Sequence, residues 1–347
     1  MAGALPPLPA QPAGTPWPTR EWPTAPGPHS VPAAARSLLD AAFGADPAGE
    51  LGATHTVAIV QRGRLLTERY AEGFGPDVPC RSWSMAKSIT QALVGLAVGD
   101  GRLDIHASAD VPAWRGAGDP RAAITLDQLL RMSSGLAWIE DYSPENPSDV
   151  IEMLFGKGAA DVAAFAEAAP LARAPGTFFY YSSGTTNIVS ACLGRALSAS
   201  GPAMEALMRQ RLFEPLGMTS ATPRFDAAGT FIGSSFCFCT PRDFARFGLL
   251  YLRDGIWEGR RLLPEGWIDY ARTPTFQQPG AEVDGRYGAH WWLDIAGPGS
   301  FSANGYEGQH IVLCPDRDLI IVRHGATPTA TQPAVKAWLR DLAAEFG

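Results

Sequence analysis

Only three of the 28 basic side chains are lysines, and one of them, Lys87, stands three residues after Ser84 in the run Arg81-Ser82-Trp83-Ser84-Met85-Ala86-Lys87-Ser88. An arginine keeps its proton inside a protein, whereas a lysine gives its proton up where the surroundings discourage the charge. A neutral amine beside a hydroxyl can take the hydroxyl proton and turn the oxygen into a nucleophile. Apolar Met85, Ile89, Leu93 and Leu96 predict a helix from Ser84 to Val98, ended by Gly99 and Gly101. The spacing of three then places Ser84 and Lys87 on one face. The positive end of that helix and an apolar setting both disfavour an ammonium. The Ser84 N–H, in the first turn, has no acceptor within the helix and can hold an oxyanion. A plainer reading makes Ser84 a helix cap and Lys87 a solvated side chain, since Ser-x-x-Lys arises by chance in roughly one such chain in six.

Two further segments add chemistry. Pro175-Gly176-Thr177-Phe178-Phe179-Tyr180-Tyr181-Ser182-Ser183-Gly184 is a turn followed by a polar, aromatic loop, and a tyrosine there can exchange protons with a Ser/Lys pair. Ala303-Asn304-Gly305-Tyr306-Glu307-Gly308-Gln309 lies between two expected strands, and its glycines permit close approach of a ligand to a strand. A backbone N–H there can supply a second oxyanion donor. Taken alone, the first segment is equally a core aromatic cluster and the second a hairpin turn.

The elements that must position these residues read as α+β. Residues 1–34 are rich in proline with Trp17 and Trp22 interspersed, an extended arm with two aromatic anchors. Residues 35–43 suit a short amphipathic helix. Residues 54–60 and 65–70 form a hairpin about Arg62-Gly63. Near the other end, 291–295, 300–304, 311–314 and 319–323 read as strands, and a helix over 334–346 closes the chain. Between them, Thr125-Leu126-Asp127-Gln128 is a capping box, and Thr240-Pro241 opens another helix. The expected organisation is an antiparallel sheet flanked by helices and built from both chain ends (35–79 and 286–347). A mainly helical part, 80–285, is inserted between them, with the site at the interface.

The net charge of −7 offers no footprint for nucleic acid or an anionic membrane. No stretch approaches the roughly 20 apolar residues of a membrane span, and the N-terminus lacks the basic and apolar regions of a secretion signal. A cytoplasmic protein is expected. Cys80, Cys192, Cys237, Cys239 and Cys314 are scattered and odd in number, which reads as buried free thiols. With no His-Glu-x-x-His pair, neither a metal nor a cofactor is expected. No G-x-S-x-G elbow occurs, which disfavours an α/β-hydrolase.

In order and spacing, the three segments resemble the serine β-lactamase and penicillin-binding-protein superfamily. That superfamily carries S-x-x-K, then Y-x-N or S-D-N, then a K-T-G-like strand. Thr125 to Leu136, Thr240 to Gly248 and Gly305-Tyr306-Glu307-Gly308-Gln309 extend the resemblance over most of the chain. It implies a β-lactamase-like fold, Ser84 as nucleophile, Lys87 as base, Tyr181 as the second-motif tyrosine (Tyr180 is the other register), and the N–H groups of Ser84 and Tyr306 as the oxyanion hole. Two positions depart from the pattern. Ser183 stands where the second motif has Asn, so Ser183 or Asn187 is expected to substitute beside Lys87. The third motif reads Ala303-Asn304-Gly305 and lacks a leading cation, which argues against efficient turnover of β-lactams or D-Ala-D-Ala.

Within the superfamily the chain looks nearest to 6-aminohexanoate-dimer hydrolases and family VIII carboxylesterases. The run Trp138-Ile139-Glu140-Asp141-Tyr142-Ser143-Pro144 resembles the loop whose tyrosine contacts the substrate amide nitrogen. By that match Tyr142 handles the leaving amine, and Asn304, Gly305 and Trp291 join it in lining the substrate site. Of Trp291 and Trp292, one is expected at the cleft and the other in the core. The expected function is hydrolysis of small esters or linear amides through an acyl-enzyme on Ser84. A β-lactamase, a D-amino-acid peptidase and a non-catalytic sensor module are the alternatives. The expected partner is a small ester or amide, with a homodimer left open.

Overall fold

The structure, a computed structural model, describes residues 5–25, 30–143, 145–276 and 286–347. Residues 1–4 and 26–29 of the expected arm, Pro144 of the tyrosine loop, and 277–285 at the end of the expected helical part lie outside the described residues.

In chain order the strands are β1 (Ala53–Gln61), β2 (Arg64–Tyr70), β3 (Thr222–Pro223), β4 (Cys237–Phe238), β5 (Ile256–Trp257), β6 (Arg260–Arg261), β7 (Arg286–Tyr287), β8 (Trp292–Leu293), β9 (Phe301–Gly305), β10 (Gln309–Cys314) and β11 (Leu319–Ala326). Seven of them form one antiparallel sheet in the order β2-β1-β11-β10-β9-β8-β7. Its second and third strands join the two ends of the chain, with Ala53 of β1 opposite Ala326 of β11. The β1–β2 turn uses left-handed Arg62 (φ 51°) and Gly63 (φ 72°), the geometry that a two-residue hairpin loop requires.

The long strands carry nearly unbroken apolar runs because both faces of the sheet are covered. Side chains alternate along a strand. Val57, Ile59, Val312 and Ile321 therefore face the helices Ala33–Phe43 and Gln332–Ala344, packing on Leu39, Trp338, Leu339 and Leu342. Their neighbours Ala58, Val60, Ile311 and Val322 join the larger core on the other face, with Phe244 and Phe247 of the helix Pro241–Leu252. Thr125 caps the helix Leu126–Leu130, and the Gln128 side chain accepts a hydrogen bond from the Thr125 N–H at 3.0 Å, as the capping-box pattern requires. Thr240 likewise caps Pro241–Leu252.

The helix expected from Ser84 begins differently. Trp83–Met85 is a short 3₁₀ turn, and the α-helix runs Ala86–Gly99. Every residue from Ala86 to Ala97 is buried, so this helix is a central strut with no solvent face. The proline-rich arm lies along the surface. Trp17 packs on Trp257 with ring centroids 4.9 Å apart, and Trp22 is buried with its Nε1 donating to the Arg242 carbonyl at 3.2 Å. All five cysteines are free and buried, with Cys237 and Cys239 sulfurs 3.9 Å apart. Among the described residues no helix is long and apolar enough to cross a membrane.

Candidate active site

Ser84 sits in the 3₁₀ turn at the foot of the central strut, and the next turn presents Lys87 to it, Nζ 3.1 Å from Ser84 Oγ. Lys87 is 1 % exposed. Its amine also donates to Ser183 Oγ at 3.0 Å and to the Ser234 carbonyl at 3.0 Å. Three neutral oxygens cannot replace a full hydration shell. Burial therefore pulls the Lys87 pKa down to about 8, against a smaller opposing pull from the Glu140 carboxylate. The depression expected from the sequence is present, and burial is its chief cause. His290 steadies the same helix: its Nδ1 lies 3.1 Å from the Lys87 carbonyl, and its own carbonyl accepts from Ser88 Oγ at 2.8 Å. Burial and the nearby Lys87 push His290 down to about 3, so it is a neutral strut at neutral pH.

Ser84 opens into a cleft of about 310 Å³ that it shares with Tyr142, Tyr181, Asn304, Gly305 and Tyr306. The Tyr181 ring centroid lies 4.8 Å from Lys87 Nζ. Burial and the Glu140 charge raise the Tyr181 phenol well above its ordinary pKa, while a hydrogen bond with Ser84 opposes the rise. β9 runs against the Ser82–Ser84 segment so closely that a Cβ on Gly305 would strike the Ser82 carbonyl oxygen, which is the physical reason for glycine there. Two non-glycine residues flank the expected oxyanion donors in left-handed conformation, Trp83 (φ 44°) beside Ser84 and Glu307 (φ 63°) beside Tyr306. They are tied together, Trp83 Nε1 donating to Glu307 Oε2 at 3.3 Å. Such conformations persist only where the surroundings enforce them.

Two expected site residues fall elsewhere. Trp291 is a core residue, fully buried against Tyr251 (4.5 Å) and Phe301 (5.2 Å), and its neighbour Trp292 lines the cleft. Adjacent residues on a strand point to opposite faces, so only one of the pair can reach the opening. Asn187 is not beside Lys87 either. It lies a turn deeper in the helix Ser183–Leu197, where its Oδ1 accepts from the Ser234 N–H at 3.1 Å and its Nδ2 lies 3.3 Å from Met153 Sδ. Asn187 thus holds Ser234, whose carbonyl receives Lys87, while Ser183 contacts the Lys87 amine directly.

The residue that sequence reasoning missed is Glu140. Its Oε2 accepts the Trp138 indole N–H at 2.6 Å and the Ser183 backbone N–H at 2.8 Å. Its Oε1 accepts two hydroxyls, Ser183 at 2.5 Å and Tyr142 at 2.7 Å. Tyr142 in turn stacks on Tyr306, centroids 4.9 Å apart. Lys336 was also unforeseen. It comes to the far rim of the cleft with Gln332, on the C-terminal helix. Glu140 has local partners in Trp138 and Tyr142, but its contact with Ser183, like the place of Lys336 at the cleft, joins residues distant in sequence.

An antiparallel sheet braced by terminal helices, with Ser-x-x-Lys at the foot of a buried helix and a glycine-bearing strand across from it, defines a chain of the β-lactamase class. The Beta-lactamase family model matches residues 39–345, and the chain belongs to that family. It is 25 % identical over 337 residues to the 6-aminohexanoate-dimer hydrolase of Paenarthrobacter ureafaciens, covering 89 % of this chain and 85 % of that one. Among solved structures, a Bacillus anthracis protein assigned as a 6-aminohexanoate-dimer hydrolase superposes with a TM-score of 0.75 at 22 % identity, over 92 % of this chain and 86 % of the other. EstA from Arthrobacter nitroguajacolicus Rue61a does so with a TM-score of 0.66 at 18 % identity, over 91 % and 98 %. The last two likenesses bear on the fold alone.

Proposed function

We propose that the chain is a serine hydrolase of small linear amides and esters, working through an acyl-enzyme on Ser84. The observation that carries this reading is the buried Lys87 amine 3.1 Å from Ser84 Oγ at the floor of an open cleft. Lys87 takes the Ser84 proton as the oxygen attacks the substrate carbonyl carbon. The developing oxyanion is held by the backbone N–H groups of Ser84 and Tyr306. Tyr181, against both Ser84 and Lys87, keeps the proton in the site. Tyr142 faces the leaving group, and water then hydrolyses the acyl-enzyme. The 6-aminohexanoate linear dimer is the amide we favour. The family match and the relative of that name support it, together with the aromatic wall of Tyr142, Trp292 and Tyr306 for a methylene chain. The test is chromatography of the linear dimer beside a p-nitrophenyl butyrate assay. Release of free 6-aminohexanoate is expected; ester hydrolysis alone would leave a carboxylesterase, and neither would overturn the reading.

The cleft also offers an end for an anionic substrate. Among the described residues that line it, Lys336 is the only Lys, Arg, Asp or Glu. A carboxylate-bearing amide would place its anion toward Lys336 and Gln332. Lys336→Met is expected to raise KM for the linear dimer about fivefold to tenfold, the scale of a half-exposed charge pair. KM for uncharged p-nitrophenyl butyrate should not move. Equal KM changes for both substrates would count against this orientation.

A further inference from the structure

We propose that Lys87, Ser183, Glu140 and Tyr142 form a proton relay that carries the proton taken from Ser84 to the leaving amine on the other side of the scissile bond. The proposal rests on the serine hydrolase reading above and assigns a task to two groups, Ser183 and Glu140, that never touch the substrate. The contacts are continuous: Lys87 Nζ to Ser183 Oγ is 3.0 Å, Ser183 Oγ to Glu140 Oε1 is 2.5 Å, and Tyr142 Oη to the same Oε1 is 2.7 Å. The carboxylate is divided by function. Its Oε2 is pinned by two N–H donors, the Trp138 indole and the Ser183 amide, neither of which yields a proton at neutral pH. Its Oε1 bridges two hydroxyls, which can exchange protons.

The polarity fits transfer in one direction. Ser183 accepts from Lys87 and donates to Glu140, so a proton arriving from Lys87 displaces one onward. After attack, Lys87 is an ammonium and Glu140 a carboxylate. As the C–N bond breaks, Tyr142 gives its phenolic proton to the leaving nitrogen, which departs as a neutral amine. Lys87 passes a proton to Ser183 Oγ, Ser183 passes its own to Glu140 Oε1, and Glu140 passes it to the Tyr142 oxygen. Lys87 ends neutral, Glu140 ionised and Tyr142 protonated, ready for deacylation. Other titratable groups against these residues are Tyr306, stacked on the Tyr142 ring, Tyr181, its ring 4.8 Å from Lys87 Nζ, and His290, which approaches only the Lys87 carbonyl. Tyr181 offers a shorter route on the Ser84 side, so the relay must be tested against it.

The leaving group provides the test. A p-nitrophenolate departs without a proton, whereas an alkyl amine cannot, and general acid assistance is worth about 10²–10⁴-fold. Wild type, Glu140→Gln and Tyr142→Phe would be compared on p-nitrophenyl butyrate and on the 6-aminohexanoate linear dimer, with active enzyme counted by fluorophosphonate labelling of Ser84. In both variants the loss on the amide is expected to exceed the loss on the ester by about 100-fold or more. Gln preserves the shape, but its one oxygen faces the Trp138 and Ser183 N–H donors, so an amide NH2 that cannot carry the proton on stands between the two hydroxyls. Equal proportional losses on ester and amide in Glu140→Gln would overturn the relay and leave Glu140 as scaffold. So would amide-selective loss in Tyr142→Phe with none in Glu140→Gln; if Glu140→Gln fails to fold, Ser183→Ala, which cuts the link between Lys87 and Glu140, takes its place in the same comparison. Wild type inactive on both substrates would instead remove the hydrolase reading itself, and the relay with it.

Discussion

Replacing Ser84 by alanine is expected to lower kcat/KM for p-nitrophenyl butyrate on the order of 10⁴-fold or more and to abolish labelling by a fluorophosphonate. Removing the nucleophile of a serine hydrolase costs about as much as removing its whole catalytic group, because the parts act as a unit. What survives comes from the oxyanion donors and from substrate binding, and both are backbone or remote features here. The loss should not reflect misfolding. Ser84 gives up one hydroxyl whose partners, Lys87 and Tyr181, have other contacts, so stability should change by no more than about 1 kcal/mol. Thermal melting of the variant beside wild type separates the two causes. Retained ester turnover and labelling in Ser84→Ala would move the nucleophile elsewhere.

Lys87→Met is expected to be nearly as severe for activity, about 10³-fold or more, while acting on stability in the opposite sense. A lysine whose pKa falls from its ordinary 10.5 to about 8 in the folded chain is a charge that folding disfavours, on the order of 3 kcal/mol below pH 8. Between pH 8 and 10.5 the unfolded chain holds the proton that the folded chain has lost, so wild-type stability rises with pH across that window. Methionine is similar in length and carries no charge. The stability of Lys87→Met relative to wild type should therefore be greatest at pH 6–7 and decline as pH climbs from 8 to 10.5. Urea unfolding of both proteins at several pH values measures this, and a flat difference would refute the buried-charge account. The same pKa governs catalysis: wild-type kcat/KM should climb about tenfold per unit below pH 8 and level above it, because only the free amine accepts the Ser84 proton.

Features encoded within a few residues are legible in the amino-acid sequence. The Ser84–Lys87 spacing, the Thr125–Gln128 capping box, Thr240-Pro241 and the Arg62-Gly63 turn each specify geometry through neighbours in sequence. The sheet drawn from both chain ends is legible too, because its strands are strongly apolar and cluster at the two ends. Choices that hang on one residue of register are not. Trp291 and Trp292 are alike in composition, and only the pairing of β8 with β9 decides which one faces the cleft. Asn187 shares a helix face with Ser183 but lies a turn farther in, so helical periodicity alone cannot separate their roles. Glu140 sits in the run that the sequence singles out, bonded to Trp138 and Tyr142, but its link to Ser183, 43 residues away, is set by the fold.

The pairing of β1 with β11 also sets a schedule for synthesis. Ala53 leaves the ribosome long before its partner Ala326 exists, and at about 5–20 residues per second the delay is tens of seconds. Until then β1 and β2 are a hairpin with an open apolar edge, and Ser84 has a lysine beside it but no Tyr306 across from it. A growing chain therefore holds the Ser84–Lys87 pair before Tyr306 has been made. The cleft between Ser84 and Tyr306 exists only once β9 to β11 have closed the sheet, which makes it one of the last features of the molecule to form.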